Sequence, residues 1–245
     1  MRPAATAALL AASLAAAPVQ ARFAPAPDAT YRLTIAATRD DGGTPRRTKA
    51  SYDIRFLRTA TGWRATLTQR SGGDAISAAF RDIPVTLTLD RDGRALAVED
   101  GEAWWARLRA GIVAHAPPAA RDAMLAAHDA TPAAGRIALL GGDLLAMCAG
   151  TETNRRPGAR ATTIPASDGA VLSARETVHR AKGMVVVQTA ADGAIAAGGR
   201  ATITRIRTID RRTGLVTDLA ETREIATGPR RLRLVSTARL APLVS

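Results

Sequence analysis

The chain predicts an α+β fold: a large curved antiparallel sheet of about eleven strands, half-barrel-like, with an insert of two to three helices packed on its concave face. Three observations predict it. Short runs of period-two alternation fill both ends of the chain, and a segment of helical period separates them. Short turn-rich connections join consecutive runs, and only antiparallel neighbours can be joined so briefly. The two ends also repeat a phrase: "TLDRDGRALAV" at Thr88–Val98 is answered by "TIDRRTGLVTDL" at Thr208–Leu219.

The first residues read as an export signal. Arg2 supplies the positive start, Ala4 to Ala17 an apolar run, and Val19-Gln20-Ala21 a small-x-small cleavage site. The run is shorter than the ~20 residues of a spanning helix, and no later segment is long and apolar enough to span. Residues 1–21 are therefore expected to be a signal peptide. Residues 22–28, containing "FAPAP", are expected to be a Pro-rich linker. Residues 29–245 are expected to form one β-rich domain, with strands over 29–99, a helical insert over 100–148 and strands over 160–241.

The first strand set is carried by Tyr31, Leu33 and Ile35, then Tyr52, Ile54 and Phe56, then Trp63, Ala65 and Leu67, then Val85, Leu87 and Leu89, then Leu96 and Val98. At Asp100, a candidate N-cap, the period changes. Trp104, Leu108 and Ile112 form one helical stripe. Pro117-Pro118 ends that helix and opens another, on which Met124, Leu125 and His128 share a face. Thr131-Pro132 reads as an N-cap followed by Pro at N1. The third helix carries Ile137, Leu140, Leu144 and Met147, and Gly141-Gly142 is expected to kink or split it, with Asp143 recapping. It is apolar nearly all round and expected to be buried. Alternation then returns over Thr162–Pro165, Ala170–Arg180, Met184–Thr189, Arg200–Asp210, Leu215–Ile225 and Leu232–Leu240. The turns "SDG", "ADG", "RRTG" and "ATGPRR" join these strands.

The repeated phrase is read as architecture. Asp90 takes the first position of a type I turn, where its carboxylate accepts backbone N–H bonds, and Gly93 takes the left-handed position. Asp210 and Gly214 do the same in a loop one residue longer, which would set Ile209 opposite Leu215. A phosphate cradle would need a helix after the glycine. Here a strand follows in both cases.

The chain has 245 residues and a formal net charge of +12, which draws an exported protein toward anionic envelope surfaces. Lys49 and Lys182 are the only lysines and Asn154 the only asparagine, a usage that looks like codon bias. Nucleic acid is a poor partner for an exported chain with 3% aromatic residues to stack on bases. Cys148 is alone, so no internal disulfide can form; it reads as a buried small hydrophobe or as half of an intermolecular bridge. The chain lacks G-x-S-x-G, H-E-x-x-H and a P-loop, and no nucleophile–base pair can be named. Glu176-x-x-His179 has metal-like spacing, but it lies on an alternating segment where an odd spacing sends the two side chains to opposite faces. His115 and His128 read as capping or surface groups. No cofactor and no metal site is expected.

The candidate ligand cavity is built from Trp104, Trp105, Leu108, Leu140, Leu144, Arg205 and Arg207. Adjacent helical positions lie about 100° apart, so one tryptophan is expected in the core and the other at a cavity. Arg205 and Arg207 share a strand face with Ile203 and Ile209. A dry core would not take two unpaired charges, so this face is either plain wet surface or the cationic end of a groove suited to an anionic amphiphile.

With "LTLDRDGRALAV", the helices from Trp104 to Met147 and "RTIDRRTGLVTDL" in place, the layout resembles the periplasmic lipoprotein carriers of the Lol type and related secreted families. That resemblance implies one antiparallel sheet wrapped around helices, with acyl chains held between, and a lipid or lipidated protein as partner. The Ala-rich, aromatic-poor strands depart from it and imply a small or shallow cavity. The alternative is an envelope assembly protein without a ligand, which uses the basic turns "TPRRTK", "NRRPGAR" and "GPRRLR" as contacts.

Overall fold

A computed structural model describes residues 23–73, 75–166, 170–196 and 198–243. The expected signal peptide, Arg22 and the "SDG" turn at 167–169 lie outside the described residues.

The fold is an open, half-barrel-like antiparallel sheet with a helical insert. Its eleven strands are β1 (Thr30–Asp40), β2 (Arg46–Arg58), β3 (Trp63–Gly72), β4 (Pro84–Leu89), β5 (Ala95–Val98), β6 (Gly158–Pro165), β7 (Val171–Ala181), β8 (Met184–Ile195), β9 (Gly199–Asp210), β10 (Val216–Thr227) and β11 (Arg230–Pro242). Their order is β5-β4-β3-β2-β1-β11-β10-β9-β8-β7-β6. Each half is a meander of sequential hairpins. The β1–β11 pair, in register from Tyr31↔Pro242 to Asp40↔Arg233, welds the two halves into one sheet.

Between the halves run α2 (Gly101–His115), α3 (Pro118–Asp129) and α4 (Ala133–Ala146). A one-turn helix, α1 (Ala75–Ala78), follows β3 where the sequence reads as a simple turn. Four residues are too few to show a helical period.

Alternation buries one face of β1–β4 and β7–β9. Leu33, Ile54, Phe56 and Leu87 of the first meander and Val185, Val187 and Ile209 of the second belong to one core, and Leu144 of α4 and Met147 just beyond its end fill the space among them. A second, smaller cluster holds Leu172, Ala191, Ala201 and Ile203.

Several local expectations are corrected. Asp100 stands at the N-cap of α2 with φ 51°, but its side chain makes no capping bond. Thr131 does not cap α4; Pro132 does, and the Thr131 hydroxyl donates back to the Ala127 carbonyl at 2.7 Å, closing α3. Gly141-Gly142 does not split α4, which runs unbroken, so Asp143 has no new helix to cap. The "ADG" segment is not a turn: β8 continues through it, and Gly193 is small because Leu172 Cδ2 would lie 3.0 Å from a Cβ there.

The two repeated turns form as expected, with one shift. Gly93 N–H donates to the Asp90 carbonyl, and Asp90 Oδ1 accepts from Asp92 N at 2.8 Å and Arg94 N at 2.9 Å. Gly214 N–H donates to the Asp210 carbonyl, and Asp210 Oδ1 accepts from Arg212 N at 2.8 Å. Gly93 and Gly214 have φ of 83° and 71°. Ile209 pairs with Val216 rather than Leu215, because Leu215 bridges to Cys148 and a register shift follows between Val216 and Asp218.

Phe23, within the expected linker, belongs to the core. Phe23 is 2% exposed. Its ring packs edge-on against Phe56 and Trp63, and its carbonyl accepts from Trp63 Nε1 at 3.2 Å. Ala24 N–H donates to the Thr213 carbonyl in the second repeated turn, while a Cβ on Gly93 in the first would lie 2.8 Å from the Phe23 ring. The Phe23-Ala24 pair thus reaches both turns.

Candidate functional site: two chambers joined at Asp143

The sheet and the helices do not meet everywhere. Between them lies a chamber of about 590 Å³. Its sheet side is set by alternation on β2, β3 and β4, which presents Tyr52, Leu67, Gln69 and Val85. Its helical side carries Trp104, Trp105 and Leu108 from α2, His128 from α3 and Leu140 from α4. The lining is mainly apolar with a few polar groups, and the volume is typical of small-molecule sites. It is wider than the shallow cavity that the small strand residues imply.

Both tryptophans line this chamber, which corrects the expectation that only one would. Because α1 flanks α2 on one side and α3 on the other, two adjacent positions can border one space. Trp104 lies 5.8 Å from Phe80 between centroids, with the Arg107 guanidinium 4.9 Å from its own ring centre. Trp105 stacks on His128 at 4.0 Å, with Arg136 at 5.2 Å. His128 is buried rather than a surface group. Its Nε2–H donates to the Trp105 carbonyl at 3.0 Å, and its Nδ1 lies 2.9 Å from Asp129 Oδ1. His115 stays exposed at the end of α2.

Leu144, expected at the cavity, is instead fully buried in the main core. Arg205 and Arg207 line a second chamber of about 460 Å³, together with Leu145, Cys148, Glu152 and Glu221. The strand register holds through them, so this part of the buried face does carry charge. Both arginines are matched by a carboxylate. Arg205 bonds Glu221 at 2.5 Å, and Arg223 bonds the other oxygen of Glu221 at 2.9 Å. Arg207 bonds Glu152 at 2.6 Å. Beside them, Glu176 is held between Arg155 and Arg160. Burial pushes the Glu176 carboxyl up, but the two guanidinium groups outweigh it and hold the pKa below the ordinary glutamate value. His179 is exposed on the opposite face, as its odd spacing predicts. Among the described residues no three His, Cys, Asp or Glu gather as a metal site.

Cys148 sits against the second chamber, with its thiol donating to the Leu144 carbonyl at 3.4 Å. Burial pushes its pKa up to about 12, so it holds no thiolate with which to exchange.

No protein-family model matches this chain, and no curated protein matches it. The site must therefore be read from its own chemistry.

Asp143 is the residue that sequence reasoning misplaced. It borders both chambers. Solvent reaches it because both chambers open beside it, yet the surrounding protein strips enough water to push its carboxyl above the ordinary value, against one opposing hydrogen bond from Tyr52. A signal was present: "LLGGDLLAM" puts one acid in an otherwise apolar helix, and such an acid is seldom placed without a partner. Glu152 and Glu221 carried no such signal, since their partners are up to 55 residues distant.

Proposed function

We propose that this protein is an exported, non-enzymatic binding or carrier protein for an amphiphilic, lipid-like ligand or a lipidated partner. The observation that carries the reading is the 590 Å³ apolar chamber between the sheet and α2–α4, which shares Asp143 on its wall with a polar second chamber. An apolar tail fits the first and a polar head the second. The export signal read from Arg2 to Ala21 and the resemblance to Lol-type carriers support the same conclusion.

Titration with dodecanol, below its aggregation limit, tests it. Trp104 and Trp105 line the chamber, so occupancy should shift tryptophan emission saturably. Trp63, buried against Phe23, supplies a constant background. Flat emission with dodecanol, fatty acid and lysolipid alike would overturn the proposal.

A second reading, an assembly protein that docks on anionic surfaces, is favoured by one observation. The β1–β2 and β10–β11 hairpins lie side by side in the sheet, bringing exposed Arg46, Arg47 and Lys49 next to Arg230, Arg231 and Arg233. The third basic turn does not join them, since its Arg155 and Arg160 are bound to Glu176.

A further inference from the structure

We infer that the amphiphile received by these chambers carries an ammonium group, which pairs with Asp143 where the two chambers meet. This rests on the amphiphile reading above and names the head group that reading leaves open.

The argument begins with the arginines. A cationic groove would favour a fatty acid or a phosphate head, but neither arginine on the chamber wall is free. Arg205 is matched by Glu221 and Arg207 by Glu152. An incoming anion would have to displace a carboxylate already bonded there, with little net gain. The carboxylates show the opposite pattern. Glu152, Glu176 and Glu221 each hold at least one guanidinium. Among the described residues no cation pairs with Asp143, and the Tyr52 hydroxyl is its hydrogen-bond partner.

Location gives this difference a consequence. Asp143 lies on the walls of both chambers, so a chain that fills the first displaces the water now hydrating its carboxylate. A buried carboxylate without a counter-ion is unfavourable. A neutral alcohol would leave it so. A fatty acid would add a second negative charge beside Asp143, Glu152 and Glu221. An ammonium on the chain supplies the missing counter-ion and a charge-assisted hydrogen bond together. The chain as a whole is basic, but Arg205, Arg207 and Arg223 are bonded to Glu221 and Glu152, which leaves Asp143 the charge without an ionic partner on the second chamber's wall among the described residues. His128, the titratable ring on the first chamber's wall, is engaged by Asp129 and the Trp105 carbonyl. The unpaired carboxylate therefore favours a cation where the global charge does not.

Calorimetric titration of the full chain with dodecylamine, dodecanol and lauric acid, all below their aggregation limits, tests this. The three share a tail and differ in head charge. The amine should bind about ten-fold or more tightly than the alcohol, and the acid more weakly than the alcohol. In Asp143→Asn the amine's advantage should vanish: the amine loses its counter-ion, and the alcohol, which no longer strands a carboxylate, binds at least as tightly as to the parent, which also shows the chamber to be intact. If the amide variant is poorly folded by circular dichroism, Asp143→Leu suits the apolar helix and should give the same loss of amine preference. An amine that binds no better than the alcohol, a preference that survives both substitutions, or an acid that binds tightest would overturn the inference and leave the amphiphile reading standing. Failure of all three probes to bind would overturn both.

Discussion

Gly93 answers to two constraints at once. Its φ of 83° lies where a β-branched residue is strained, and its missing Cβ is the space in which the Phe23 ring rests at 2.8 Å. Gly214, at 71°, meets the conformational demand as well. Gly93→Val and Gly214→Val should each cost about 1–3 kcal/mol, with Gly93 the larger because the ring must also move. Denaturation midpoints measure this, and equal midpoints for both variants and the parent would contradict the turn geometry. Glu176 is the second residue that stability depends on. It is 5% exposed, and its carboxylate is the shared partner of Arg155 and Arg160. Glu176→Gln should destabilise by about 1–3 kcal/mol near neutral pH, since a half-matched buried pair is worse than none and both arginines keep part of their hydration. Its folded pKa is lowered, so its contribution is complete above the unfolded glutamate value and is lost as pH falls through the folded one. The gap between the parent and Glu176→Gln should therefore begin to narrow as pH falls below the unfolded glutamate value of about 4.3 and close only below the lowered folded one. A stability gap that stays constant through that window would show that the charge is not what matters.

At the scale of the element, α4 separates two glycines that look alike in sequence. A Cβ on Gly141 would lie 2.3 Å from Cδ2 of Leu87, which is fully buried, so that side chain would have to shift within the core. A Cβ on Gly142 would meet nothing within 4 Å. Alanine favours a helix over glycine by about 1 kcal/mol. Gly142→Ala should thus raise the thermal midpoint, and Gly141→Ala should lower it, the overlap outweighing the propensity. Two shifts of the same sign would contradict the packing of α4 on β4. These glycines also show why the break expected in α4 is absent. Glycine weakens a helix only modestly, and the burial of Leu144 and Met147 in the core holds this one together. Element type was legible in the sequence because it is a local property. Tyr31, Leu33 and Ile35 alternate as a strand must, and Trp104, Leu108 and Ile112 step as a helix must. The misreadings have separate causes: the Thr131 hydroxyl closes the helix behind it by bonding Ala127, Gly193 makes room for Leu172, and α1 is too short to show a period.

At the scale of the molecule, the sheet's unity rests on its middle. β1 and β11 are the first and last strands, and their pairing joins two meanders that would otherwise be separate. Phe23 adds a second tie between the halves, packing against Phe56, Trp63 and the first repeated turn while Ala24 N–H bonds the second. Phe23→Ala should cost about 3–5 kcal/mol, the usual range for an emptied aromatic site. The loss should appear as a lower midpoint of one cooperative transition. Two separated transitions in the parent would mean that the halves fold independently.

Strand count, the two Asp-to-Gly corners, the helical middle and four of the seven cavity residues, Trp104, Trp105, Leu108 and Leu140, were set by the sequence alone. Each follows from side-chain period or turn chemistry, which act over a few residues. The tertiary structure decided that β1 pairs with β11, that Phe23 is a core residue, that Leu144 faces the core, and that Arg205 and Arg207 are neutralised while Asp143 is not. A charge becomes free or paired according to what the fold brings within about 4 Å of it. For Arg207 that is Glu152, 55 residues earlier in the chain.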